Sequence, residues 1–82
     1  MVISVVGLLN SRVAHLKPRI QHLVNQHTFH FEEHEIKKHS HYCILTPHAK
    51  HESWRSPKAI HKIRIREGGL DAIVNTILRI TK

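Results

Sequence analysis

The sequence has 82 residues, which predicts one domain, spanning 1–82, with only a modest hydrophobic core. Thirteen lysines and arginines outnumber six acidic residues, so the formal net charge is +7 and the surface should attract anions. The single cysteine excludes an internal disulfide, and the longest apolar run, Val2 to Leu9, is too short to span a bilayer and lacks the charged start of a signal peptide. We therefore expect a soluble, cytoplasmic protein with no membrane partner.

The first part of the chain predicts a strand followed by a helix. Val2–Val6 is rich in β-branched residues, which is typical of a buried central strand. Apolar residues then recur at helical spacing from Leu9 and predict a first helix that ends near Gln26, with Asn10 or Ser11 as its cap. Pro18 lies inside this pattern, so we expect a kink or irregular turns there.

The middle of the chain predicts two strands joined by an unusually short connection. Thr28–Phe31 is short and aromatic, and Tyr42–Leu45 is apolar without alternation, as in a strand covered on both faces. The polar run Glu32–His41 between them has room for a helical turn or two, whereas a crossover between parallel strands normally takes a dozen or more residues and a helix. The second crossover helix is therefore expected to be nearly lost.

The last part predicts a helix, an edge strand and a closing helix. Glu52–Lys62 should hold a helix that is regular only after Ser56, because Pro57 interrupts it. Lys62–Arg66 alternates between cationic and apolar residues, as a half-exposed edge strand does. An apolar stripe after Gly68 and Gly69 predicts the closing helix, at Leu70, Ile73, Val74, Ile77 and Leu78.

This order of elements predicts a small α/β domain with a flavodoxin-like or Rossmann-like parallel sheet in the order 2-1-3-4. If Glu32–His41 is instead a hairpin, the fold is α+β and ferredoxin-like. Right-handed crossovers place the first and last helices on one face of the sheet and the second and third on the other. Losing the second should leave an apolar patch bare over strands one and two, so we expect a homodimer or a protein partner there.

Chemically capable side chains cluster after the strands, where open α/β sheets bind ligands. Lys50, His51 and Lys58 follow strand three, and a helix start beside two lysines suits a phosphate or carboxylate. Trp54 with Arg55 could stack on a base. The predicted ligand-binding residues are Asn10, Arg12, His48, Lys50, His51, Trp54, Arg55, Lys58, Gly68 and Gly69.

Several short motifs resemble a known family. They are a strand ending in VG, then RVAHLKPRIQHLV, then YCILTPHAKHESWRSPKAIH and finally REGGLDAIV. Together they resemble a shortened member of the bacterial family catalogued as domain of unknown function 2325. Gly7 stands where the family has its first motif, and Lys50-His51 stands where the family has a Ser-His pair. Lys58 occupies the position of a family lysine, and His61 that of a family cysteine. Gly68-Gly69 occupies the position of the family's last motif. The family's HDGG is missing, and FHFEEHEI occupies its place.

A second resemblance is confined to one segment. ILTPHAKHESW is similar to the third strand and following loop of Toll/interleukin-receptor domains, which share the flavodoxin-like arrangement. The catalytic glutamate of those domains has no match, since Glu52 is displaced by one turn. Neither resemblance implies a particular reaction.

Metal and thiol chemistry are not favoured by the sequence. Histidines 27, 30, 34, 39 and 41 with Cys43 follow no standard zinc spacing, and no second cysteine anchors a site. Cys43 lies in the middle of a strand, where a thiol is buried and inert. Candidates for catalysis are limited to His48, His51 and Glu52. We predict no catalytic residues, no metal and no cofactor.

The leading functional hypothesis is a non-catalytic protein that binds a phosphate-bearing, nucleotide-like ligand or a macromolecule at the carboxyl ends of strands one and three. One alternative is a nucleic-acid-binding module that uses Lys62, Arg64 and Arg66. Another is a small inhibitor or adaptor that acts through a protein interface, and a third is an enzyme of nucleotide hydrolysis or transfer. The expected partners are thus an anionic small molecule or a nucleic acid, and a second copy or another protein.

Overall fold

Four parallel strands form one sheet in the computed structural model, which describes residues 1–49, 55, 57–67 and 69–82. The strands are β1 (Val2–Val6), β2 (Thr28–Glu32), β3 (Ser40–Leu45) and β4 (Ala59–Arg64). Their order across the sheet is β2-β1-β3-β4, and every pairing is parallel. The predicted α/β fold with order 2-1-3-4 is confirmed, and the ferredoxin-like alternative, which needs antiparallel pairing, is wrong.

The helices are α1 (Asn10–Leu16), α2 (Gln21–Val24) and α3 (Gly69–Ile80), and a 3-10 helix, Lys17–Ile20, joins α1 to α2. Pro18 lies at the start of that 3-10 helix, where its missing N–H disturbs no regular α-helical turn. The irregularity expected there is confirmed. The predicted cap is wrong, because Leu9 takes the N-cap position of α1 without a side-chain hydrogen bond. Within the described segments, no helix has the length and apolar character needed to cross a membrane.

The larger hydrophobic core lies on the face of the sheet that α1 and α3 cover. Ile3, Val5 and Ile44 of the strands are completely buried there. The helical segments contribute apolar side chains at helical spacing, namely Val13, Leu16, Ile20, Leu23, Ile73, Val74 and Ile77. This face carries both the first and the last helix, as right-handed crossovers predict.

The opposite face has a smaller core that includes Val6, Cys43, Leu45 and Ala59. The crossover between β2 and β3, residues 33–39, has no helix, as the sequence predicted. Ile36 nevertheless lies within it and is only 3% exposed, because it packs into this core. One isoleucine of an irregular segment therefore takes over part of the role of the lost crossover helix.

The bare apolar patch expected over strands one and two on this face does not form in the described part of the chain. Ser4 and Val6 of β1 are fully buried. Ser4 shares a short hydroxyl–hydroxyl hydrogen bond with Ser40, which links β1 to β3. The β2 residues paired with this side of β1 are His30 and Glu32, and both are polar. The patch prediction is therefore wrong, because Val6 is buried in one cluster with Ile36 and the neighbouring β2 residues are polar.

The position of β4 also corrects the sequence prediction. A helix was expected up to Lys62, but residues 59–62 are strand, and the rest of the expected helix lies mostly outside the described residues. β4 begins three residues before the predicted Lys62 and ends two before Arg66, because Ala59 to Arg64 pair with the full length of β3. Its predicted place at the edge of the sheet is confirmed.

Candidate ligand site at the carboxyl ends of the strands

The order of the strands creates a crevice between β1 and β3. The chain leaves β1 towards β2 on one side, and β3 lies on the other side of β1. Segments that follow β1 and β3 therefore diverge at the carboxyl edge of the sheet. In open α/β sheets, ligands bind outside this edge at the point where the strand order reverses.

Gly7 and Thr46 close the floor of this crevice. Gly7 has φ +92°, a conformation that L side chains rarely adopt. The Thr46 hydroxyl donates a hydrogen bond to the Gly7 carbonyl at 2.7 Å, and the backbone N–H of His48 donates to the same hydroxyl at 3.3 Å. A Cβ on Gly7 would collide with the Thr46 hydroxyl and the Ala49 backbone. The first residues after β1 and after β3 are thus held in direct contact.

A cavity of about 440 Å³ opens above this floor. That volume lies within the range of roughly 300–1,000 Å³ that is usual for small-molecule sites. Its lining is mostly apolar and also includes charged and other polar residues. The described lining residues are Gly7, Leu8, Leu9, Arg12, Glu33, His34, Thr46, Pro47, His48, Ile65, Gly69 and Ile73.

The electrostatics of the rim favour an anion. Arg12 is exposed on the first turn of α1, and its guanidinium lies 3.7 Å from where an alanine Cβ at position 69 would stand. Gly69 begins the 12-residue helix α3, whose first backbone N–H groups carry partial positive charge. Asp71, in the first turn of α3, forms an ion pair with Arg19 at 2.7 Å. Asp71 is therefore balanced by Arg19. Among the described lining residues, Arg12 is the one lysine or arginine and Glu33 the one acidic residue.

Three of the predicted ligand-binding residues meet in this cavity. Arg12 comes from α1, His48 from the turn after β3, and Gly69 from the start of α3. Asn10 begins α1 and is exposed, but it does not line the cavity, and neither does the exposed Arg55. Lys50, His51, Trp54 and Gly68, also predicted for this site, lie outside the described residues.

Lys58 does not join the site. Its backbone carbonyl accepts from the N–H of Ser40 at 2.7 Å, and its Nζ donates to the carbonyl of Lys37 at 3.5 Å. These contacts place it at the amino end of β4, and the carboxyl edge is about 20 Å away along a six-residue strand. Lys58, although predicted to bind the ligand, therefore lies at the opposite end of the sheet from the cavity.

The predicted nucleic-acid-binding residues lie on and just after the edge strand β4. Lys62 is half-buried, whereas Arg64 and Arg66 are exposed. Arg64 and Arg66 line a groove of about 500 Å³ that shares Thr46, Pro47 and Ile65 with the cavity. Positive charge therefore continues from the crevice onto this edge of the sheet.

Glu33 and His34 line the cavity but were not among the predicted site residues. They directly follow β2, and the signal was available, because the carboxyl ends of parallel strands share one edge. In dinucleotide-binding sheets an acidic residue some twenty positions after the first glycine turn bonds ribose hydroxyls. Glu33 occupies a comparable place after β2.

Cys43 is fully buried within the smaller core. Burial raises the pKa of its thiol to about 12, with a smaller opposing effect of the positive charge on Lys62. A thiol with this pKa stays protonated and unreactive at neutral pH. In the described ranges, no three histidine, cysteine or acidic side chains come together in a metal-binding group.

Comparisons with known proteins supply no relative: no family model, no curated protein and no solved structure gives a significant match. The resemblances drawn from the sequence therefore remain predictions, and function has to be argued from the geometry of the site.

Proposed function

We propose that the protein binds a nucleotide-like organic phosphate in the cavity at the carboxyl ends of β1 and β3, and that it acts by binding. The observation that carries the proposal is the convergence of Arg12 and the amino end of α3 on one mostly apolar cavity. A guanidinium forms paired hydrogen bonds with phosphate, and helix amino termini attract the same charge.

The remaining lining suits the uncharged parts of such a ligand. Leu8, Ile65 and Ile73 offer apolar surface for a flat ring. The carboxylate of Glu33 provides acceptors for sugar hydroxyls. Thr46, the hydroxyl-bearing residue of the described lining, already donates to the Gly7 carbonyl, so it is held as a structural group and is not poised as a nucleophile.

Titration calorimetry with adenosine monophosphate tests this proposal, with adenosine and inorganic phosphate as partial ligands. Arg12→Ala should weaken binding by about tenfold or more, because hydrogen bonds to charged groups contribute roughly 1.5–3 kcal/mol. Arg79→Ala is the matched control: this exposed arginine lies in the last turn of α3, about 15 Å along the helix from Gly69. Equal losses from both substitutions, or no binding by the native protein, would refute the proposal.

A second candidate function is binding of a nucleic-acid backbone along β4. It is favoured by one observation, the continuation of positive charge from the cavity to Arg64 and Arg66. Affinity for single-stranded or double-stranded oligonucleotides should then fall steeply with salt, and each removed contact should reduce the slope by about one. If Arg66→Ala left the affinity for oligonucleotides unchanged, the charged edge of β4 would not be a nucleic-acid-binding surface.

A further inference from the structure

The two edges of the sheet differ in how they discourage pairing with another strand. β4 carries Lys62 and Arg64, and lysine or arginine on an edge strand opposes edge-to-edge association. β2 has the sequence TFHFE, with no lysine, arginine or proline. Glu32, its one acidic residue, ends the strand and lies 3.9 Å from the Nζ of Lys37. The β2 edge is therefore the unprotected one.

Some backbone N–H and carbonyl groups of β2 are directed away from the sheet and are available for hydrogen bonds. The N–H of Thr28 donates to Met1, and the carbonyl of Glu32 accepts from Gly7, so both residues turn their backbone groups towards β1. Backbone groups alternate sides along a strand, hence His30 also faces β1 while Phe29 and Phe31 face outward. Among the described residues, no strand pairs with that outer side. Two N–H and two carbonyl groups are consequently presented at the edge.

The strand is self-complementary about its centre. In an antiparallel pair centred on His30, Phe29 of one copy stands opposite Phe31 of the other, and the reverse holds by symmetry. Each Phe29–Phe31 pair directs its N–H and carbonyl groups towards one another and exchanges two backbone hydrogen bonds. The two such pairs would therefore form four hydrogen bonds between the strands. The two copies of His30 then face each other across the twofold axis without a backbone bond between them.

The side chains beside this edge also suit a second copy. The rings of Phe29 and Phe31 are half-buried, nearly parallel at 11°, and 6.2 Å apart. They line a groove of about 720 Å³ together with Pro18, Val24 and Lys17, and Val24 is 46% exposed. The Nζ of Lys17 lies 5.7 Å from the centre of the Phe31 ring, a cation–π contact within the same chain. Aromatic pairs across antiparallel strands are stabilising. The groove provides room for the partner's rings beside the helical segment.

We propose that two copies of the chain associate through β2, in antiparallel register about His30, to form one continuous eight-stranded sheet. The homodimer expected from the sequence is thereby assigned to an edge of the sheet and no longer to a bare face. Closed twofold pairing of one edge also leaves only the charged β4 edges at the ends of the sheet, which limits further growth.

Sedimentation equilibrium of two lysine variants tests the assignment. His30→Lys places two ammonium groups opposite each other at the twofold axis and should raise the dimer dissociation constant by about tenfold or more. Ile60→Lys, the control, adds the same charge at a 73% exposed position on β4 and should leave the dissociation constant unchanged. A native protein that stays monomeric at high micromolar concentration, or dissociation caused by the Ile60 variant alone, overturns the proposal.

Amide hydrogen exchange tests the proposal on the native protein, without any substitution. Exchange at the N–H groups of Phe29 and Phe31 should slow as the protein concentration rises through the dissociation constant. The N–H of His30 faces β1 in the same chain, so its exchange should not depend on concentration. Exchange at both phenylalanines that is independent of concentration would contradict pairing through this edge.

Discussion

At the scale of single residues, Gly7 is where the fold and the candidate site depend most directly on one another. It combines a positive φ of +92° with close contact to the Thr46 hydroxyl and the Ala49 backbone. The sequence marked Gly7 as the end of a strand, but the second constraint depends on a residue 39 positions away. No local pattern contains that information.

Gly7→Ala is expected to lower the free energy of unfolding by about 2–5 kcal/mol, since the strain of the left-handed region adds to overpacking. Gly69→Ala is the matched comparison, because Gly69 also has positive φ, +57°, but an added Cβ meets only Arg12 at 3.7 Å in the described surroundings. That variant should lose about 1–2 kcal/mol. Urea unfolding measures both, and equal losses would show that the Thr46 turn does not pack against Gly7.

Cys43 provides a pH-dependent test of burial. Burial raises its thiol pKa from the ordinary 9.0 to about 12, so above pH 9 the unfolded chain releases a proton that the folded chain keeps. The unfolded state is favoured as that proton leaves, so stability is fully present below pH 9 and declines as the pH rises from 9 towards 12. The decline should approach about 1.4 kcal/mol per pH unit.

Cys43→Ala removes this titration and serves as the reference, because other groups that titrate at high pH are common to both proteins. Urea unfolding between pH 8 and about 10.5 should show the native protein losing stability relative to the variant. A constant difference across that range would mean that the thiol ionises as easily in the folded state as in the unfolded one.

At the scale of elements, the crossover at residues 33–39 shows how a short connection between parallel strands is stabilised without a helix. Ile36 packs in one buried cluster with Val6, Cys43 and Leu45. The sequence predicted the missing helix from the length of the connection alone. It did not identify Ile36 as a core residue, because one apolar residue in a polar run has no periodicity to mark it.

Ile36→Ala is expected to destabilise the protein by about 2–5 kcal/mol through lost burial and the cavity left behind. Lys38→Ala, in the same crossover but exposed, should change stability by about 0.5 kcal/mol or less. Thermal or urea unfolding distinguishes the two variants. If Ile36→Ala were as mild as Lys38→Ala, the segment would not be packed as described.

The boundaries of β4 illustrate where prediction from patterns fails. Lys62–Arg66 alternates clearly, whereas Ala59, Ile60 and His61 do not, so the pattern placed the strand too late. Pairing with β3 determines the actual start, since Ser40 extends β3 and aligns with Ala59. The same shift carries Lys58 to the amino end of the sheet. Register between strands is a tertiary property, and the sequence of β4 alone cannot encode it.

At the scale of the whole molecule, strand order determines the location of the candidate site. The alternation of strands and helices read from the sequence predicted the flavodoxin-like order 2-1-3-4, with a ferredoxin-like fold as the alternative. That order in turn brings Arg12, His48 and Gly69 together. Glu33 and His34 complete the lining from the segment after β2, whose sequence matches no known binding motif.

The net charge of +7 is distributed unevenly over this framework. Residues 42–66 carry a net +5, while residues 27–41, which contain β2 and the crossover, carry −1. Many of the cations therefore follow β3 or lie on β4, whereas β2 itself carries little net charge and has Lys17 as its neighbouring cation. This division separates a surface suited to anions from a surface suited to a second copy of the chain.

A two-dimensional ¹⁵N NMR titration of the native protein with adenosine monophosphate tests most directly whether the cavity is a ligand site. Binding at the proposed cavity predicts saturable shifts that cluster at residues 7–12, 33–34, 46–48 and 69–73, and Arg12→Ala should abolish them at the same ligand concentration. No shifts at millimolar ligand, or shifts confined to residues 62–66 on the β4 edge, would contradict a ligand site at the carboxyl ends of β1 and β3.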